Sequence, residues 1–207
     1  MPVTQAEMKR AVAHIVGVDK RFKVLVDSHS LCTIGSKANQ FTHFESLVES
    51  VISQQLAVRA ADTIHARLVS LVGGKITPAR ISKLAIDDLR GAGVSGAKVK
   101  TIQGLSNAAL SGEVAVHDLH LLDDEVVFRQ LTSLWGIGPW TVDMFMMFQL
   151  GRLDIWPTGD LGVRRGWEKI HSLKEQIEPQ KLQVRGEKFR PYRSVVAWYC
   201  WRALEKK

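Results

Sequence analysis

The chain has 207 residues, 45% hydrophobic, 24% charged and 7% aromatic, with a pI near 9.6. These fractions belong to globular proteins that bury a core and exclude disordered and fibrous classes; one domain or two small ones is expected. No window approaches ~18 consecutive apolar residues, and the opening MPVTQAEMKRAVAHIVG lacks the order of a secretory signal, so a soluble intracellular protein without a membrane partner is expected.

The first helix is predicted over 4–16, where Thr4 as N-cap and Glu7 three residues on form a capping box and Met8, Ala11, Val12 and Ile15 share one stripe. A short second helix leads into a loop from Cys32 to Thr42 containing Gly35, Ser36 and Asn39. Thr42 caps a helix over 43–52, and after the polar joint Ser53-Gln54-Gln55 a second run, 58–71, stays helical until Gly73-Gly74. Pro78, Asp87, Gly91 and Gly93 punctuate short helices, of which 97–110 is the clearest before Gly112 ends it. A helix over 124–134 precedes Gly136-Ile137-Gly138-Pro139, and the next, 139–150, is apolar nearly all round, with Asp143 in its first turn complementing the helix dipole. The connection GRLDIWPTGD opens a helix over 161–171, and the last helix runs from Tyr192 to Glu205. No strand pair is predicted, so the fold class is all-α, with about ten helices.

Charge and cysteine usage narrow the function. The 28 Lys and Arg against 21 Asp and Glu give +7; residues 1–160 hold 16 of each sign, and 161–207 hold 12 basic against 5 acidic. The whole excess therefore lies in the last quarter, which fits a polyanionic partner such as nucleic acid or an anionic membrane, or a solvated basic helix face. Cys32 and Cys200 are too few for a four-cysteine zinc site or iron–sulfur cluster and read as small core residues.

Four constellations could carry chemistry, each with a purely structural alternative. The tight Gly136-Ile137-Gly138-Pro139 turn could aim backbone amides at a phosphate, or could be a compact turn between helices. Asp160 stands where an N-cap belongs, and a carboxylate fixed there could also stabilise positive charge developing on a sugar and orient a water. Leu56, at the joint after Gln55, is either core or a wedge for a base stack. Trp135, Trp140, Trp156, Trp167, Trp198, Tyr199 and Trp201 are either core or the walls of a stacking pocket.

Taken in order, ISQQLAVRAA at 52–61, LTSLWGIGPWTVDMFMMF at 131–148, WPTGDLGVRRG at 156–166 and FRPYRSVVAWYCW at 189–201 resemble the helix-hairpin-helix DNA glycosylase superfamily, and within it the 3-methyladenine DNA glycosylase II branch. The similarity runs from Phe44 to Trp201, and the 22 residues from Gly138 to Asp160 join hairpin and aspartate into one specific pattern. The resemblance implies two helical subdomains flanking an active-site cleft: a barrel over 43–167 carrying the hairpin, and a discontinuous bundle of 1–42 plus 168–207. It implies that Asp160 is the catalytic aspartate, that Trp140, Met144 and Trp201 shape the base pocket, and that Leu56 beside Gln55 fills the gap left by a flipped nucleotide. Backbone amides of Gly136, Gly138 and Thr141, and the side chains of Arg164 and Arg165, would meet the DNA backbone. Main-chain carbonyls of Thr132, Leu134 and Ile137 would hold a structural Na+ or K+.

The implied reaction is removal of alkylated purines from double-stranded DNA with a damaged base, by a monomer that needs no catalytic cofactor and has no iron–sulfur cluster. Bifunctional relatives carry a lysine nucleophile two residues after the second hairpin glycine; Trp140 stands there, so a monofunctional enzyme that leaves an abasic site is expected. Within the resemblance the chain is expected to be a compact form, without the N-terminal β-rich domain of longer members. Indole faces at Trp140 and Trp201 would favour a cationic base by roughly 0.5–2 kcal/mol. Lys181, Arg185, Lys188, Arg190 and Arg193, with Arg164 and Arg165, would bind phosphates flanking the lesion. Two alternatives stay open: the same fold acting on uracil, mismatched or oxidised bases, and a non-catalytic helix-hairpin-helix DNA-binding protein. The expected location is cytoplasmic in a bacterium and nuclear in a eukaryote.

Overall fold

The computed structural model describes residues 2–36 and 40–205; Asn39 of the predicted loop lies outside them. In chain order the helices are α1 (Gln5–Val18), α2 (Lys23–Ser28), α3 (His43–Ser53), α4 (Val58–Leu71), α5 (Pro78–Ile81), α6 (Ile86–Gly91), α7 (Gly96–Ser111), α8 (Asp124–Thr132), α9 (Pro139–Met144), α10 (Leu161–Ile170), α11 (Pro179–Gly186) and α12 (Arg193–Leu204). Among the described residues there is no strand, and the twelve α-helices exceed the ten expected because several are only one or two turns long.

Local chemistry sets most of the boundaries. The Thr4 hydroxyl accepts from the Glu7 amide at 3.1 Å, Thr42 accepts from Glu45 at 3.2 Å, and Gly112 ends α7 at φ +80°. The helix predicted to reach residue 134 ends instead at Thr132: Ser133 N–H makes the last four-residue return, to Arg129 O, and Leu134 N–H returns only three residues, to Leu131 O, which tightens the last turn. The expected continuous helix 139–150 is also interrupted: α9 passes at Phe145 into a π-helical stretch, Phe145–Gln149. Asp143 is then the fifth residue of α9 and lies beyond the first turn in which the sequence places it.

The chain forms two compact units, Met1–Ala38 with Met146–Lys207, and Asn39–Phe145. In the second unit the apolar stripe of α3 (Phe44, Leu47, Val48, Val51, Ile52) is buried together with Leu68, Val99, Ile102, Leu105, Val127, Leu131 and Val142. In the first unit Met8, Ala11 and Ile15 of α1, Phe22, Leu182 and residues Val195–Cys200 of α12 are buried, and the Phe22, Trp167 and Phe189 rings meet edge-on or tilted at 5.6–6.2 Å. Both cysteines are buried, and burial pushes the Cys32 thiol up to about 12 and the Cys200 thiol up as well. The break between units falls after Phe145, not after 167 as the sequence implied. The physical reason is α10, whose Gly166 lies so close to α12 that an added Cβ would stand 1.9 Å from the Cys200 carbonyl oxygen.

A buried carboxylate ties the first unit together. Asp19 accepts from the Arg21 amide at 3.1 Å, from His171 Nε2 at 3.1 Å and from Lys188 Nζ at 3.4 Å. Burial by itself would raise its pKa; the Arg21 amide, His171 and Lys188 outweigh burial and hold it below the usual carboxylate value. A depressed folded-state pKa stabilises the protein above the unfolded-state value of about 4, and that stability is lost as pH falls through the folded value. Asp19→Asn is therefore expected to lower Tm at neutral pH and to narrow the gap to the parent below pH 4, as read by thermal melts across pH; a constant gap would contradict this account.

Candidate active site and DNA interface

Asp160 is placed by its own loop. Asp160 N–H donates to Pro157 O at 2.9 Å, closing a turn, and Oδ1 then accepts from Val163 N–H at 2.7 Å as the N-cap of α10. The same Oδ1 accepts from Trp201 Nε1 at 2.9 Å. Two donors on one oxygen fix the plane of the carboxylate, the degree of preorganisation that charge stabilisation requires. Gly162 makes the second bond sterically feasible, since a Cβ there would sit 2.8 Å from Trp201 Cδ1 and 3.0 Å from Nε1.

The loop before Asp160 is laced to the start of α12. Arg193, buried, donates through Nε and Nη2 to the Asp154 carboxylate at 2.8 and 3.0 Å and through Nη2 to the Asp154 carbonyl at 2.9 Å. Ser194, also buried, donates to Arg152 O at 2.8 Å, and its hydroxyl accepts from Ile155 N–H at 2.8 Å. These bonds join residues 152–155 to the helix that carries Trp201, so the donor and acceptor of the Asp160 bond share one rigid frame. Sequence spacing could not reveal this, because the partners are about 40 residues apart.

The aromatic residues separate into two groups. Trp156, Trp167, Trp198 and Tyr199 are buried, and Trp156 Nε1 donates to Leu182 O at 3.0 Å, so these four are core. Trp201 is partly exposed and stacks on Phe148 with centroids 5.9 Å apart and planes 27° from parallel. Phe148 is 46% exposed, although the sequence pattern predicts it only as part of an apolar helix. The shift to π-helical geometry at 145–149 changes the helical register on which that reading depended. Trp140, 48% exposed, and the partly buried Met144 lie on α9 in the other unit.

The hairpin turn has the shape its glycines dictate. Gly136 adopts φ +83° and leaves no space for a side chain, since a Cβ would stand 2.0 Å from Thr101 Oγ1. Ile137 N–H donates to Leu134 O at 3.2 Å, and Gly136 and Gly138 are exposed, with amides that find no acceptor among the described residues. Thr141 is buried, and its hydroxyl accepts from Gln54 Nε2 at 3.2 Å, so of the three expected amide donors the glycines are the exposed ones. Lys100 Nζ lies 4.3 Å from the centroid of Trp135, placing a cation beside the turn. Among the described residues Thr132 O and Ile137 O accept no hydrogen bond and Leu134 O accepts one, a donor set that fits a hard monovalent cation.

Leu56 is 40% exposed, and Gln55 before it is exposed at φ +56°. The basic last quarter is partly neutralised within its own unit. Arg165 pairs with Glu168 at 3.0 Å, Lys188 with Asp19, Arg190 with Asp154 and Glu187 at 2.8 Å each, and buried Arg193 with Asp154 and Glu187. Arg193 is thus a structural cation and not the phosphate contact the resemblance implied. Lys181 and Arg185 are exposed, and Arg164 keeps a buried Nε without a hydrogen-bond partner among the described residues.

Comparison with known proteins places the chain in a family. Residues 48–191 match the family model described as HhH-GPD superfamily base excision DNA repair protein. The chain is 31% identical over 198 residues to DNA-3-methyladenine glycosylase 1 of Schizosaccharomyces pombe, covering 94% of this chain and 87% of that protein. A crystal structure of a Bacillus halodurans DNA-3-methyladenine glycosidase superposes with a TM-score of 0.84 at 34% identity, covering 93% of this chain and 88% of the other. The Schizosaccharomyces pombe 3-methyladenine DNA glycosylase Mag1, solved in complex with abasic DNA, superposes with a TM-score of 0.80 at 30% identity, covering 93% and 95%.

Proposed function

The chain belongs to the HhH-GPD superfamily of base excision DNA repair proteins, and from that premise we propose that it is a monofunctional DNA glycosylase that releases alkylated purines of the 3-methyladenine and 7-methylguanine type and leaves an abasic site. The observation that carries this reading is the Asp160 carboxylate, its Oδ1 held by Val163 N–H and Trp201 Nε1.

The target base cannot react inside the duplex, so the nucleotide is flipped out, at a cost lowest at damaged pairs. Leu56 fills the gap left in the stack, and the exposed amides of Gly136 and Gly138 hold a phosphate of the lesion strand. The carbonyls of Thr132, Leu134 and Ile137 would hold a Na+ or K+ that supplies positive charge toward that phosphate. Arg164 and Arg165 add backbone contacts, the latter by exchanging its Glu168 partner for a phosphate. Trp201 with Phe148 stacked upon it, Trp140 and Met144 are the residues we assign to the base. Electron-rich ring faces favour a cationic purine.

An N3- or N7-alkylated purine already carries positive charge, so when the bond from C1′ to nitrogen breaks the electron pair leaves with the base, which departs neutral. Asp160 stabilises the resulting oxocarbenium-like sugar and accepts a proton from the water that adds at C1′. No lysine stands at the position of a Schiff-base nucleophile, which Trp140 occupies.

The test is incubation with methylated duplex DNA and with duplexes containing uracil, hypoxanthine or 8-oxoguanine, with released bases identified by mass. Methylated purines are expected to dominate, and strand breaks to require alkali. Preferential release of uracil or 8-oxoguanine would overturn the substrate class, and breaks without alkali would overturn the monofunctional mechanism.

A further inference from the structure

The joint that carries Leu56 is held by two side chains that the reading above leaves without a role. Gln54, the C-cap of α3, sits at φ −50° and ψ 124°, Gln55 at φ +56°, and Leu56 N–H returns to Ser53 O at 3.1 Å. The left-handed region is unfavourable for a residue with a Cβ, and the last carbonyls of a helix lack internal partners, so this conformation depends on support from elsewhere. Lys98 of α7 supplies it: Nζ donates to Ile52 O at 2.8 Å and to Gln54 O at 2.7 Å. Its ammonium is committed to these carbonyls at the edge of a cavity of about 80 Å³ that Leu56 lines with Ile52, Ile64 and Val94. The Gln54 side chain ties the same joint to the hairpin, with Nε2 donating to Thr141 Oγ1 at 3.2 Å and to Gly136 O at 3.4 Å.

We propose that Lys98 and Gln54 are positioning residues for strand opening, fixing Leu56 in register with the hairpin so that phosphate capture and wedge insertion occur as one event. The proposal rests on the glycosylase reading and on Leu56 as the intercalating residue. A leucine on a loosely held joint would have to be ordered at the moment of insertion; a leucine on a joint that Gln54 already ties to Gly136 and Thr141 arrives ordered. Burial also pushes the Lys98 ammonium down, as expected for a cation withdrawn from water to serve a structural bond.

The experiment uses the full chain and a duplex with a tetrahydrofuran abasic analogue opposite 2-aminopurine, whose fluorescence reports insertion, together with single-turnover base release and affinity for undamaged duplex. Leu56→Ala is the reference and is expected to abolish the fluorescence change; if it does not, the intercalation reading fails and the proposal with it, whereas an inactive parent would sink the glycosylase reading separately. Lys98→Met and Gln54→Ala are each expected to weaken the fluorescence change and slow base release about five- to tenfold with undamaged-duplex affinity unchanged, and Lys98→Arg to restore most of the signal. In the Leu56→Ala background neither substitution should cost anything further. Further loss in that background would mean a general structural role. Weaker binding of undamaged duplex with a smaller salt slope would make Lys98 a phosphate contact. Either result, or parental behaviour of both variants, overturns the proposal. Should Lys98→Met fail to fold, Gln54→Ala carries the test alone.

Discussion

Asp160→Asn is expected to keep the fold and the affinity for duplex DNA while base release falls by about 10²–10³-fold, the loss seen when one preorganised charge-stabilising group is removed. The argument is isosteric. Asparagine is as good an N-cap as aspartate, and its amide oxygen can accept from Val163 N–H and Trp201 Nε1 as Oδ1 does now. The substitution therefore keeps both of these bonds while it removes the negative charge that would face the developing cation and the base that would take a proton from water. Asp160→Ala would add the loss of the cap, about 0.5–2 kcal/mol, and of the indole bond, so its defect would mix stability with chemistry. Thermal melts, duplex binding and single-turnover release separate the two. An Asn variant that excises within tenfold of the parent would remove Asp160 from the catalytic role.

The sequence made legible those features whose causes are local. Thr4, Thr42, Asp160 and Gly112 act as predicted because a cap needs only its own residue and the next turn. The hairpin was visible for the same reason: two glycines, a proline and a helix on either side define it without help from distant residues. What escaped was contributed by residues far apart in the chain. Nothing in the periodicity of 189–201 shows that the Trp201 indole reaches Asp160, or that Gln54, not Gln55, bonds to the hairpin. Phe148 is not legible in the pattern because a period of 3.6 residues per turn does not hold where the chain adopts a π-helical stretch, which shifts each later side chain around the axis. The basic quarter was read by counting charges, and counting cannot show that Lys188, Arg190 and Arg193 are answered by Asp19, Asp154 and Glu187.

The boundary between units was misplaced for a related reason, and the glycines of α10 turn that error into an experiment. Gly162 and Gly166 lie four residues apart, on one face of the helix. At Gly166 an added Cβ would meet backbone: the Cys200 carbonyl oxygen at 1.9 Å, its carbon at 2.4 Å and the Cα at 2.7 Å. None of these atoms can move without parting α10 from α12, so the gain of about 1 kcal/mol in helix propensity on Gly→Ala does not offset the overpacking. Gly166→Ala is expected to cost about 3 kcal/mol or more, a large share of a typical ~5–15 kcal/mol, and to lower Tm by about 10 °C. At Gly162 the same methyl would meet the Trp201 indole and Asp160 Oδ1, side-chain atoms that can yield. Gly162→Ala should therefore keep Tm within a few degrees of the parent, while the indole shifts from Asp160 and base release slows by about tenfold, the value of one charge-assisted hydrogen bond. Melts and single-turnover rates on the two variants read the distinction directly. A stable, active Gly166→Ala protein would show that α10 and α12 are not held in backbone contact at this point. A Gly162→Ala protein of parental rate would show that the Trp201 bond does not orient the carboxylate.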